Sequence, residues 1–218
     1  MPATAGNTTV PTLATRDGQG TLPLQEGLET PPIRETELQQ RRKAEVLAMI
    51  PFPWQKLGYE IAFLDPKPGY RAMTIPAKRR IEIYMRPGES ALPQAYDLAH
   101  ELGHAFDLEY NNPERRRLWL QLRGIDPSTP WFGCSRCADY GTPAGDFAET
   151  FALLLLGPGN YHSSIAQPPP SKQIPALTAF CQAEGLGGDW RQAGTEGKSR
   201  TASVRRPGAL GRSKRPPV

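Results

Sequence analysis

The spacing of apolar and polar residues predicts two helices that dominate the middle of the chain. One covers residues 91–110, where apolar residues recur at helical spacing and form a core-facing side. These residues are Leu98, Leu102, Ala105 and Phe106. The other helix covers residues 143–156, with Thr142 as its N-cap and a Gly-Pro-Gly sequence after its last residue. Both helices are expected to bury one face against the rest of the domain.

Shorter segments complete the prediction of an α+β fold. Residues 57–64 and 81–85 are β-like runs, and the second alternates apolar residues with Glu82 and Tyr84. The segments with helix-favouring composition are residues 35–50, 114–122 and 171–184. We expect a small mixed sheet that packs on the first long helix. Strand 81–85 would be a natural edge for pairing with an extended substrate.

Composition sets the expected domain limits. The chain has 218 residues with 21 glycines and 24 prolines, and its mean hydropathy is −0.51. These values favour one modest core with irregular flanks. We expect one domain over residues 46–186. The low-complexity segment 1–45 is expected to be disordered apart from a short helix, and residues 187–218 to form a disordered basic tail.

The net charge of +4 is concentrated in the tail. After residue 195 the chain has seven basic residues, one acidic residue and no aromatic residue, so weak contact with nucleic acid is the most that the tail suggests. No run of 18 apolar residues predicts a membrane span, and the N-terminus lacks the regions of a signal peptide. We therefore expect a cytoplasmic protein, with export by another route left open. The residues do not indicate an oligomeric state.

The first long helix carries an HExxH motif, the pattern of zinc-binding helices. It reads His100-Glu101-Leu102-Gly103-His104 and uses two of the three histidines in the chain. Residues four apart lie on the same face of a helix, so both imidazoles can bind one ion. On zinc the pKa of a bound water falls to about 7, and the intervening glutamate can act as its general base. The predicted cofactor is therefore Zn²⁺.

A catalytic zinc site requires a third protein ligand. Tyr110 stands six residues after His104, so the third histidine of the HExxHxxGxxH pattern is absent. Asp146 and Glu149, one turn apart on the second long helix, are the candidates. We expect one of them to bind zinc and the other to accept a hydrogen bond from a ligating histidine. The residues leave open which carboxylate takes which role.

Two sequence motifs resemble a known family. HELGHAFD at residues 100–107, followed some forty residues later by DFAETFA at residues 146–152, resembles the gluzincin class of zinc metallopeptidases. The similarity is greatest to the branch of the anthrax lethal factor catalytic domain and related bacterial peptidases, and it covers roughly residues 54–156. The resemblance implies a zincin-like minimal metallopeptidase domain, with an HExxH helix and a second ligand helix.

The second helix departs from the pattern of that branch. There it reads E-x-x-x-E, in which the first glutamate binds zinc and the second bonds to a ligating histidine. In this chain Gly145 stands at the first position and Glu149 at the second. The resemblance further implies that Tyr140, upstream of the helix, donates a hydrogen bond to the tetrahedral oxyanion, a role that suits a neutral phenol.

Together these features predict a zinc-dependent endopeptidase that acts on a peptide or protein, with Glu101 as general base. The alternative is a catalytically inactive module that keeps the HExxH fold and binds a partner. Cys134, Cys137 and Cys181 are compatible with a disulfide or with free thiols. His162 is expected on a surface loop after the second long helix.

Overall fold

The computed structural model describes residues 34–133, 139–159 and 161–182, together with the backbone of residues 13–16. This part of the chain has an α+β fold, as predicted. Its strands are β1 (Leu13–Arg16), β2 (Glu60–Leu64), β3 (Tyr70–Ile75) and β4 (Arg80–Tyr84). Its helices are α1 (Glu37–Leu47), α2 (Ala91–Tyr110), α3 (Pro113–Arg123), α4 (Pro143–Leu156) and α5 (Ile174–Gln182).

Several predictions concern residues outside this description. Cys134 and Cys137 lie there, as do the tail 187–218 and most of segment 1–45. Within the latter segment, α1 is the short helix that composition favoured, and the side chain of its N-cap Thr36 accepts a hydrogen bond from the Gln39 backbone. None of the helices in the described residues is both long and apolar enough to cross a membrane.

The sheet is small and mixed, in the order β1-β3-β4-β2. β4 pairs antiparallel with β3 and parallel with β2, so both of its edges are occupied. The expectation that this strand offers an open edge to a peptide is therefore wrong. The error arose because β3 was not predicted: the buried residues on this strand are Ala72 and Thr74, which are too small or too polar to give a clear apolar alternation.

The core forms where α2 packs against α4. All four residues of the predicted core-facing side of α2 are fully buried. The ring of Phe106 packs against those of Phe147 and Phe151, with centroids 5.9 and 5.4 Å away. Gly103, within the HExxH motif, permits this close approach, because a Cβ there would lie 2.7 Å from the Ala148 Cα. The core thus fixes the HExxH helix directly against the helix that carries Glu149.

α2 and α4 begin and end at the predicted residues, 91–110 and 143–156. The N-cap Thr142 accepts a hydrogen bond from the Gly145 backbone at 3.0 Å through its hydroxyl. Pro143 occupies the first turn of α4, where its missing N–H costs nothing. A single 3-10 turn, Asp139–Gly141, comes immediately before this cap. The position of that turn determines which acidic residue reaches the two histidines of the HExxH motif.

Candidate metal centre

Three buried side chains converge between α2 and the 3-10 turn. The Nε2 atoms of His100 and His104 lie 3.1 Å apart, and Asp139 Oδ2 lies 3.0 Å from each of them. The residues are 2, 0 and 6 % exposed, respectively. Among the described residues they are the group of histidines and acids whose ligand atoms lie close enough together to hold a metal ion.

The donor set fits zinc. Four ligand atoms at zinc bond lengths of about 2.0–2.2 Å in a tetrahedron lie roughly 3.3 Å from one another. The three observed separations of 3.0 to 3.1 Å are close to that value. Two imidazole nitrogens and one carboxylate oxygen form a three-ligand set of the kind found in catalytic zinc sites, which leave the fourth position to water or substrate.

Asp139 was not among the residues predicted from the sequence. It lies in an irregular segment, where no helical or strand spacing marks it. Gly145 was the available signal: a Cβ there would lie 2.9 Å from Asp139 Oδ2 and 2.7 Å from its carbonyl carbon. Gly145, which stands where the resembled branch has its metal-binding glutamate, therefore leaves room for a carboxylate from the preceding turn.

Glu149 lies where it can orient the ring of His100. Its Oε1 lies 2.7 Å from Nδ1 of His100, which leaves the Nε2 atom of that ring for a metal. Its Oε2 accepts a hydrogen bond from the His162 main-chain N–H at 2.7 Å. Burial alone would raise the pKa of Glu149, but its bond to His100 holds the pKa below the ordinary value. Nδ1 of His104, by contrast, is buried without a hydrogen-bond partner among the described residues.

Asp146 points away from the histidines, into a polar cluster. Its carboxylate forms a two-pronged ion pair with Arg123, at 2.9 and 3.0 Å. Three more side chains donate hydrogen bonds to it, those of Trp119, Tyr161 and Ser163. The structure thus brings Asp139 and Glu149 to the histidines, and it places Asp146 in a contact that joins α3, α4 and the segment after α4.

Glu101 is fully buried, and β3 supports it. Thr74 Oγ1 donates to Glu101 Oε2 at 2.6 Å and also lies 3.1 Å from its carbonyl oxygen. Thr74 is thus a second residue of the site that the sequence did not reveal, because its strand was not predicted. The contact holds the carboxylate of the predicted general base in one position.

Tyr140 lies between two histidines. Its ring centroid is 5.6 Å from that of His100 and 5.2 Å from that of His162. Burial and the nearby charge of Glu149 raise the pKa of its hydroxyl, so the phenol stays neutral and can donate a hydrogen bond at neutral pH. His162 is exposed, as expected for a loop residue, but that loop belongs to the site.

Comparisons with protein-family models, with curated proteins and with solved structures found no match to this chain. The likeness to gluzincins therefore rests on the HELGHAFD and DFAETFA motifs alone, and membership of that class stays a prediction. Any function proposed for the chain therefore rests on the geometry of the site.

A cleft of about 490 Å³ opens beside His100. Tyr140, Glu149 and His162 line it, together with the apolar side chains of Leu92 and Leu153. It also contains Arg71, which forms ion pairs with Asp97 at 2.7 Å and Glu89 at 2.9 Å. The cleft is large enough for a side chain of a bound peptide and reaches the site on its Tyr140 side.

Replacement of Arg123 by alanine is expected to lower the free energy of unfolding by about 3–5 kcal/mol, because it leaves the buried Asp146 carboxylate without its counter-charge. The two side chains are 2 and 0 % exposed. Arg117→Ala is the matched control, since its ion pair with Glu114 is 65 and 70 % exposed and should change stability by less than about 0.5 kcal/mol. Urea unfolding followed by tryptophan fluorescence measures both. An equal loss of unfolding free energy in the two variants would contradict the structural role assigned to Asp146.

Proposed function

We propose that this chain is a zinc-dependent hydrolase of peptide bonds, in which His100, His104 and Asp139 hold the metal. The observation that carries the proposal is that three buried ligand atoms lie close together beside the helix that also bears Glu101. In this proposal Asp139 takes the ligand role first considered for Asp146 or Glu149. Glu149 has the orienting role, which requires a fixed acceptor on the second nitrogen of a ligating histidine.

Each residue of the site has a separate role in the proposed reaction. Bound zinc would act as a Lewis acid and lower the pKa of water. Glu101 accepts a proton from the attacking water and delivers it to the leaving amine. Thr74 holds the Glu101 carboxylate through the 2.6 Å hydrogen bond. The neutral hydroxyl of Tyr140 donates to the oxyanion that develops on the substrate carbonyl.

Removal of the metal tests this function. We expect the purified chain to hydrolyse casein, and 1,10-phenanthroline to lower the rate at least 100-fold. One equivalent of zinc should restore the rate, whereas Mg²⁺ and Ca²⁺ should not, because these hard ions require more oxygen ligands than the site offers. Fluorescence of labelled casein measures the rate under each of these conditions.

The alternative function makes a different prediction in the same experiment. A catalytically inactive module, with or without bound zinc, would release no fragments from casein or from a library of quenched peptides. Hydrolysis that continues unchanged in the presence of the chelator would contradict both readings, since neither permits turnover without the metal.

A further inference from the structure

β1 lies beside the candidate metal centre. It pairs antiparallel with β3, with Leu13 opposite Thr74 and Ala14 opposite Met73. Thr74 is the residue whose hydroxyl holds Glu101. β1 also contacts the 3-10 turn Asp139–Gly141, which carries the proposed third ligand. This short N-terminal strand therefore lies next to both the strand that holds Glu101 and the turn that carries Asp139.

The position of β1 is one that an extended peptide would take. Peptides commonly bind a sheet by adding a strand to its edge, where the main-chain hydrogen bonds supply affinity. β4 occupies one side of β3, and β1 occupies the other. A peptide that reached Glu101 along β3 would therefore have to pair where Leu13–Arg16 now pair.

The contact is short enough to be reversible. β1 has four residues, and its register with β3 shifts between Thr15 and Arg16. It is shorter than the usual strand of about five to six residues, so few main-chain hydrogen bonds hold it to β3. Residues 17–33 separate this strand from the next described segment. Seventeen residues can span up to about 55 Å, so the strand can leave β3 without any movement of α1.

We propose that the edge of β3 binds an extended peptide antiparallel, and that residues 13–16 occupy this edge as an intramolecular competitor. The proposal rests on the proposed function, because it places the substrate along the strand that supports Glu101. A tethered strand competes at a high effective concentration. The apparent affinity for an external peptide falls in proportion to the fraction of molecules whose edge is open.

The full-length variant Leu13→Pro/Ala14→Pro tests the proposal. Successive N–H groups of a strand point to opposite sides, so one of the two lost donors must face β3. The control Leu13→Val/Ala14→Thr keeps both donors and favours a strand. All chains also carry Glu101→Gln, so that bound peptide is not cleaved. The probe is a fluorescein-labelled peptide with the sequence of residues 10–19, VPTLATRDGQ, and its binding is measured by fluorescence anisotropy.

We expect the proline variant to bind the peptide at least tenfold more tightly than the chain with an unsubstituted β1 or the control variant does. Hydrogen exchange should show faster exchange of the β3 amides in the proline variant, and added peptide should slow it again. Equal peptide affinity in all three chains would overturn the proposal. Faster exchange without tighter binding would also overturn it, since β1 would then cover an edge that has no affinity for peptides.

These readouts do not depend on turnover. If the proposed function fails, none of the chains with an intact Glu101 will hydrolyse casein, whatever the binding data show. If it holds, the proline variant made with an intact Glu101 should hydrolyse dilute casein about tenfold faster than the unsubstituted chain. The two failures can therefore be told apart.

Discussion

Replacement of Asp139 by asparagine is expected to lower the affinity for zinc at least 100-fold. The two side chains have nearly the same shape, so the fold should be retained, but a neutral amide oxygen is a much weaker ligand than a carboxylate. Glu149→Gln should have a smaller effect, of about 10- to 100-fold, because that residue acts on the metal through His100. Asp146→Asn should lower stability, because it breaks the buried pair with Arg123, but it should leave the zinc affinity of the folded chain unchanged, since that carboxylate does not contact the histidines.

Competition with a chromophoric chelator, together with metal content by plasma mass spectrometry, measures all three affinities. The comparison belongs at about pH 8. Burial alone would lower the pKa of His100, but its bonds to Asp139 and Glu149 raise the pKa well above 6.5 in the metal-free chain. A proton must leave this ring before zinc binds, so apparent affinity should rise with pH. Loss of zinc in Asp146→Asn with retention in Asp139→Asn would refute the ligand assignment.

Glu101→Gln is expected to reduce the turnover number about 10³-fold while one zinc per chain remains bound. Glutamine preserves the size of the side chain and can still accept the hydrogen bond from Thr74, so the site should keep its shape. What it loses is the ability to take up a proton, a contribution of typically 10² to 10⁴ in rate. Casein hydrolysis and metal content are measured on the same preparations.

Glu109→Gln is the control for that variant. It makes the same chemical change on the same helix, at a partly exposed side chain that pairs with Arg79 at 2.9 Å. Its turnover should stay within about twofold of the unsubstituted chain. A Glu101→Gln variant that retains full turnover would rule out this residue as the base. Equal loss in both variants would indicate damage to α2 and not to the chemistry.

The two helices of the site could be predicted from the sequence because strong local signals define their ends. Thr142 and Pro143 mark the start of α4, Gly157 marks its end, and the pair Asn112-Pro113 separates α2 from α3. The HExxH spacing then fixed two ligand positions without any knowledge of the tertiary structure, because residues four apart share a helix face.

The remaining parts depend on contacts between distant segments. Asp139 reaches the histidines from a turn, and turns have no periodicity that would mark one acidic residue among several. Thr74 supports Glu101 from a strand whose buried side chains are small. The pairing of β4 on both sides could not be read from its alternation, since that pattern describes the faces of a strand and not its neighbours.

The close contact between Gly145 and Asp139 limits how sites of this kind can vary. A side chain at position 145 and the present path of the turn at residue 139 exclude each other sterically. The acidic ligand can therefore come from the helix or from the turn, but a single substitution does not convert one arrangement into the other. A substitution that adds an acid at position 145 would place two carboxylates in the same space. One that removes the acid at position 139 would leave the histidines without a carboxylate. Among sequences that share this fold, the two positions should change together, and an acid at one should exclude an acid at the other.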